Sequence, residues 1–266
     1  MDWLDDKNEV LPLDCFQISD TGYKTSISHP LRIDVIQPIS GGGLVGMSFC
    51  PGKHGPGAIS GGYWIRSLEM DFKAIQDWGA TTVLTLLELW EFADLNVEKL
   101  SATVHDFGLT WYWLEIPDGG IPTGEIEHKW SVIKQDLLAR LARGGRVFIH
   151  CRGGLGRTGT LAAELLAGFG EDMRGAITRV RAARPGAIET RAQEEYLVLR
   201  SQFVILKIQS EEAYKAALKK LGALFDQDPD PASDSGKAFA TLIAAVSEYE
   251  REHYPIELPK ISGGKS

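Results

Sequence analysis

The sequence predicts an α/β domain, a central and mainly parallel twisted sheet flanked by helices, followed by a C-terminal helical extension. Three observations predict it. Short β-rich runs, "TTVLTLL" (81–87), "TWYWLEI" (110–116) and "RVFIH" (146–150), alternate with segments of helical periodicity, as right-handed strand–helix–strand crossovers require. The first of these runs suits a strand buried on both faces. Beyond about residue 209 the strand pattern stops and helical spacing alone remains.

Residues 1–30 are polar, rich in turn formers and set apart as an N-terminal segment; the α/β domain is assigned to 31–209 and the extension with its tail to 210–266. "LRIDVIQPIS" (31–40) suits a strand, and the glycine-rich 41–62 a loop or short hairpin. Ile65, Leu68, Phe72 and Ile75 carry helical spacing through 64–78, which Gly79 stops. After strand 81–87 come a short helix around 96–105, strand 110–116 and the loop "PDGGIP" (117–122). Trp130, Ile133, Leu137 and Leu141 line one face of a helix over 125–143, and strand 146–150 follows. Helices then dominate: one from near Arg157 to near Gly168, one over 172–184 closed by Pro185, and one from near Thr190 carrying Tyr196, Leu199 and Phe203. Ser210 can cap a helix to about Leu224, 226–236 has linker composition, and Phe239, Leu242, Ile243 and Val246 mark a last helix over 237–253 before a loose tail.

With 44% hydrophobic and 24% charged residues, the chain has the composition of an ordinary globular protein. A net charge of −8 without a long basic run argues against general nucleic-acid binding. No apolar run approaches the roughly 18 residues of a membrane span, and the acidic N-terminus lacks a secretory signal's basic and apolar regions. Cys15, Cys50 and Cys151 form neither a disulfide framework nor a zinc pattern, so a reducing cytoplasm is the expected home. Gly41, Gly43 and Gly46 satisfy the dinucleotide fingerprint, but "MSFCPGKHGPG" cannot supply the helix that should follow. The terminal "GGKS" lacks the remainder of a nucleotide loop, and Trp111, Tyr112 and Trp113 suit packing better than base stacking.

The chemistry concentrates in "FIHCRGGLGRTGT" (148–160). Cys151 ends a strand, and Gly153, Gly154 and Gly156 let the backbone curl so that successive N–H groups face one anion. A helix N-terminus near Arg157 adds positive potential, and its guanidinium suits two oxygens of a tetrahedral anion. The same field stabilises a thiolate when the loop is empty and a phosphate when it is filled, an arrangement for in-line attack.

The string HCxxGxxRT resembles the signature of the protein tyrosine and dual-specificity phosphatases, matched by His150, Cys151, Gly154, Arg157 and Thr158. The resemblance implies a dual-specificity phosphatase-like fold, Cys151 as nucleophile, Arg157 on the phosphate, Thr158 assisting the thiolate as leaving group, and His150 tuning the thiol from behind. The loop residues Arg152, Gly153, Gly154, Leu155 and Gly156 would bind substrate. It also implies a general acid about thirty residues upstream, the place of Asp118. "PDGGIP", "HCRGGLGRTG" and "GAIETRAQEEYLVLRSQF" together look like the kinase-associated phosphatase group, over roughly 35–205. In the water-positioning pattern of tyrosine phosphatases Gln193 is kept, whereas Glu189 replaces the first glutamine. That carboxylate could orient water, repel phosphate, or lie solvated at a helix start. Arg152 is expected at the rim, either favouring acidic substrates or simply solvated.

The expected activity is hydrolysis of phosphotyrosine, with phosphoserine and phosphothreonine as further candidates, through a cysteinyl-phosphate. Two alternatives stay open: a phosphoinositide or small phosphometabolite as substrate, and a phosphate-binding scaffold with little turnover. No metal or cofactor is required, since Arg157 and backbone dipoles supply the positive field. The expected partner is a phosphorylated protein or peptide, with 210–266 as a candidate protein-binding extension.

Overall fold

The computed structural model describes residues 22–56, 62–205, 208, 210–230 and 234–254. The chain opens with β1 (Tyr23–Lys24), β2 (Asp34–Ile36), β3 (Leu44–Phe49), β4 (His54–Pro56) and β5 (Tyr63–Ile65). Helix α1 (Leu68–Asp77) starts where Ser67 accepts the Met70 N–H, a cap worth ~1 kcal/mol, and it buries Phe72 and Ile75. Next come β6 (Thr82–Thr85), α2 (Leu89–Asp94), α3 (Leu100–Asp106), β7 (Thr110–Trp113), α4 (Gly124–Ala142) and β8 (Arg146–Cys151). Helices α5 (Gly156–Gly168), α6 (Met173–Ala183), α7 (Arg191–Ile205), α8 (Glu211–Phe225) and α9 (Asp234–His253) complete the described chain.

Five strands form the main sheet in the order β2-β3-β8-β6-β7. All neighbours are parallel except β2, which runs antiparallel to β3 at the edge. Strand β8 lies in the middle and is buried from Val147 to Cys151. One face packs Val45, Met47, Leu84, Val147 and Ile149 against α4 and α5; the other packs Val83 and Phe148 against α1 and α3. The runs 81–87 and 146–150 were legible because β6 and β8 are covered on both faces, whereas β7 at the edge is only partly buried. Helices α8 and α9 build a separate small cluster around Leu242, Val246 and Tyr249.

Several expectations are corrected. The stretch 41–62, expected as a loop or hairpin, contains β3, an interior strand of the main sheet, and β4, which pairs antiparallel with β5 just beyond it. Two of its glycines allow close approach: a Cβ on Gly43 would lie 1.8 Å from the Gly145 carbonyl oxygen, and one on Gly46 would lie 2.8 Å from the Trp78 ring. Trp64 and Ile65 belong to β5, so the first helix begins later than expected. The strand expected over 31–40 is the three-residue β2. Helix α2 was not anticipated, and α9 begins inside the stretch expected as linker. Strand β1 falls within the stretch set apart as an N-terminal segment and pairs with β5. Cys15 and the terminal GGKS lie outside the described residues.

Candidate active site

Cys151 is the last residue of β8, so its thiol lies at the carboxyl edge of the sheet, where parallel sheets present their ligand crevices. It is 2% exposed. The loop then curls back, and the Gly154 N–H donates to Cys151 Sγ at 3.1 Å. Gly154 has φ +70°, and a Cβ there would lie 2.0 Å from the Ser48 carbonyl oxygen, so glycine alone fits. Behind the loop, Arg184 donates to the Gly153 carbonyl at 3.1 Å and to that of Gly154, and pairs with Asp34 at 2.6 Å. Tying these carbonyls to the rear leaves the loop amides for the front. Helix α5 begins at Gly156 and adds its positive end.

Arg157, expected to grip phosphate, is buried and already engaged. Its guanidinium holds Glu91 with two bonds of 2.5 and 2.9 Å, Asp118 Oδ1 at 2.7 Å, and the carbonyls of Leu86 and Ile116 at 2.9 and 3.1 Å. Burial opposes its charge, but Glu91, Cys151 and Asp118 more than offset that and hold it firmly protonated. Its Nε has no partner among the described residues, nor does the buried Thr158 hydroxyl. Thr158 follows Arg157 in the first turn of α5.

Asp118 is exposed, in the loop expected for it. Its N–H donates to Glu88 at 3.0 Å, and the loop is latched to the start of α7: Thr190 donates to the Gly119 carbonyl at 3.0 Å and Gln193 to that of Gly120 at 3.1 Å. Gln193 is fully buried and its Oε1 accepts the N–H groups of Glu189 and Thr190. Glu189 is exposed just before α7, and one carboxylate oxygen accepts the Gly156 N–H at 2.7 Å, on the loop itself. His150 is fully buried, its Nε2 2.9 Å from the Thr85 hydroxyl. Burial pushes it down to about 3, so the ring is neutral.

Arg152 does sit at the rim, but its charge is taken by Asp94 at 2.6 Å, and it lies 5.8 Å from the Trp90 ring. Leu155 is buried at the N-terminus of α5, whereas Gly153 faces open space. Trp111 and Trp113 stack on each other and bond Thr85 and Leu87, which is packing. Glu91, Glu88, Asp94, Arg184 and Asp34 were missed by the sequence reading. The Glu88/Glu91 capping box, an acidic pair three apart after a strand, was the one local signal for α2. A groove of about 710 Å3 beside α7, lined by Arg181, Glu189, Arg191 and Leu199, lies outside the loop. Among the described residues, no cluster of three or more His, Cys, Asp or Glu could hold a metal ion, and no helix is long and apolar enough to cross a membrane.

Comparisons with known proteins bear on the family and the fold. Residues 66–197 match the family model described as PTP-SAK, a Swiss Army Knife protein, DSP-PTPase phosphatase domain. Cyclin-dependent kinase inhibitor 3 of Mus musculus is 31% identical over 135 residues, covering 50% of this chain and 62% of that protein. Protein tyrosine phosphatase type IVA 3 of Homo sapiens is 32% identical over 118 residues, covering 44% and 62%. The chain thus spans less than two thirds of the length of these relatives. A crystal structure of kinase associated phosphatase, with serine at its catalytic cysteine, superposes with a TM-score of 0.55 at 24% identity, over 63% of this chain and 92% of that one, and shows the fold. Through the domain carrying the Cys151–Arg157 loop, the chain belongs to the protein tyrosine and dual-specificity phosphatase family.

Proposed function

We propose that the chain is a cytoplasmic phosphatase hydrolysing phosphotyrosine, with phosphoserine and phosphothreonine as secondary substrates, through a cysteinyl-phosphate. The observation that carries this is the joining of Cys151, Arg157 and Asp118 at one sheet edge, with Asp118 2.7 Å from the guanidinium. Glu91 keeps its two bonds to Arg157, so Asp118 is the exchangeable partner. An arriving phosphate takes that place, and Asp118 turns to the leaving oxygen. Released from Arg157, Asp118 takes up a proton from solvent; the Cys151 thiolate then attacks phosphorus, the bond to the leaving oxygen breaks, and Asp118 gives that oxygen its proton. In the second step Asp118 accepts a proton from the attacking water, and the thiolate leaves with help from the Thr158 hydroxyl. The catalytic unit is taken as 31–209, with 210–266 an extension offering a protein-binding surface.

Charge around the mouth favours a single phosphate on a protein over a multiply phosphorylated lipid headgroup. Glu88, Asp94, Asp118 and Glu189 surround the loop, and Asp94 neutralises the rim arginine. One observation favours the scaffold alternative, the Glu189 carboxylate on the Gly156 N–H, where it opposes an incoming anion. The test is a panel of phosphopeptides, inositol phosphates and an aryl phosphate. Cys151→Ser should abolish turnover, and Asp118→Asn should slow substrates with poor leaving groups about 10²–10⁴-fold while sparing good ones. Turnover of an aryl phosphate by Cys151→Ser at the wild-type rate would refute the reading; tight phosphopeptide capture without product from the wild type would establish the scaffold instead.

A further inference from the structure

Lys53 is a buried cation that this mechanism leaves unused. It stands in the turn leaving β3, whose last residue, Phe49, is the register partner of Cys151. One residue on, the Cys50 N–H donates to the Arg152 carbonyl at 3.3 Å, so the turn runs along the start of the phosphate loop. Lys53 is 6% exposed, its Nζ 4.7 Å from the Phe49 ring centre and 5.7 Å from that of Trp64.

Among the described residues, no carboxylate is within ion-pair distance of Lys53, and those nearby are spoken for. Asp71 takes two of the bonds of Arg66 together with those of Ser26 and Gly52, Glu91 takes Arg157, and Asp94 takes Arg152. An ammonium removed from water onto aromatic faces alone is costly, so an anion is wanting. Burial pulls Lys53 down to about 8; the thiols of Cys50 and Cys151 favour its charge, and Arg152 and Arg66 oppose it. Cys50 is pushed up by its own burial and stays a neutral thiol, so the sulfur that Lys53 can serve is that of Cys151, reached across the Phe49–Cys151 register pair and the Cys50–Arg152 hydrogen bond.

We propose that Lys53 is an electrostatic support of the Cys151 site, holding the thiolate in the empty loop and the phosphoryl charge in the filled one. Only the second half rests on the phosphatase reading. Alkylation of Cys151 by iodoacetamide, followed against pH by mass spectrometry of its peptide, tests the first half without turnover. Lys53→Met should move the midpoint up by about one pH unit, about tenfold slower alkylation below it, and Lys53→Arg should restore it. Lys73→Met, in an exposed pair with Asp77, should leave it in place. An unmoved midpoint in folded Lys53→Met overturns the proposal. Should that variant not fold, the reciprocal measurement decides. The titration of Lys53, read at its Cε by NMR, must fall to lower pH in Cys151→Ser, and an unmoved curve overturns the proposal equally. A wild type without phosphatase activity would refute the catalytic reading and leave the thiol result standing.

Discussion

Glu189 and an incoming phosphate compete for one backbone N–H, that of Gly156. The carboxylate is exposed and leaves easily, yet its charge opposes a dianion about to occupy the loop. Glu189→Gln keeps an acceptor for the N–H and removes the charge. The variant should show KM for phosphopeptide and Ki for inorganic phosphate lowered about three- to tenfold, in line with one screened charge at short range. Steady-state kinetics with phosphate as competitive inhibitor checks this, and an unchanged Ki would mean the carboxylate yields without cost. Cys151, Arg157 and Asp118 were legible in the sequence because one short string and one loop carry them. Arg184, Asp34 and Lys53 were not, since each reaches the loop from a distant segment, and no local spacing records that Arg184 will lie behind Gly153 and Gly154.

At the scale of elements, α2 matters beyond its six residues. It brings Glu91 to Arg157, Asp94 to Arg152, and its preceding Glu88 to the Asp118 backbone. A helix under two turns long shows no periodicity, which is why the sequence reading passed over it. Strand β3 was hidden for the opposite reason. Gly43 just before it and Gly46 within it look like loop formers, whereas they let Gly145 and the Trp78 ring come close. Glu91→Ala should cost about 3 kcal/mol or somewhat more, because it strands a buried guanidinium that keeps only carbonyls and an exposed aspartate. Asp94→Ala, removing a partly exposed pair, should cost under ~1 kcal/mol. Urea midpoints of the two variants separate the cases, and equal losses would mean that Glu91 contributes only as a surface charge does.

Across the whole molecule, the alternation of β-rich runs and helices predicted the parallel sheet because that sheet is covered on both faces, and its carboxyl edge gathers the ends of β6, β7 and β8 around the loop. The same enclosure makes the fold sensitive to acid at two points. On the sheet, His150 is held neutral, its value pushed from 6.5 down to about 3 by burial. The unfolded chain therefore binds a proton that the folded one refuses, so this stability is present above about pH 6.5 and is lost as pH falls below it. Between α4, α5 and α7, burial would raise Glu164, but Lys134 and Arg200 overrule it and hold the carboxyl below its usual range. Its contribution is likewise present at neutral pH and lost on acidification, beginning near the ordinary glutamate range and continuing down to its folded value. Stability should therefore fall in two stages. The first, between about pH 6.5 and 5, should approach a slope of ~1.4 kcal/mol per pH unit for the one proton on His150, and a steeper fall should follow as carboxylates protonate. Urea unfolding at half-unit intervals measures this. In His150→Gln the first stage should flatten while the second survives, and a His150→Gln curve parallel to wild type through pH 5 would assign the first stage to another group.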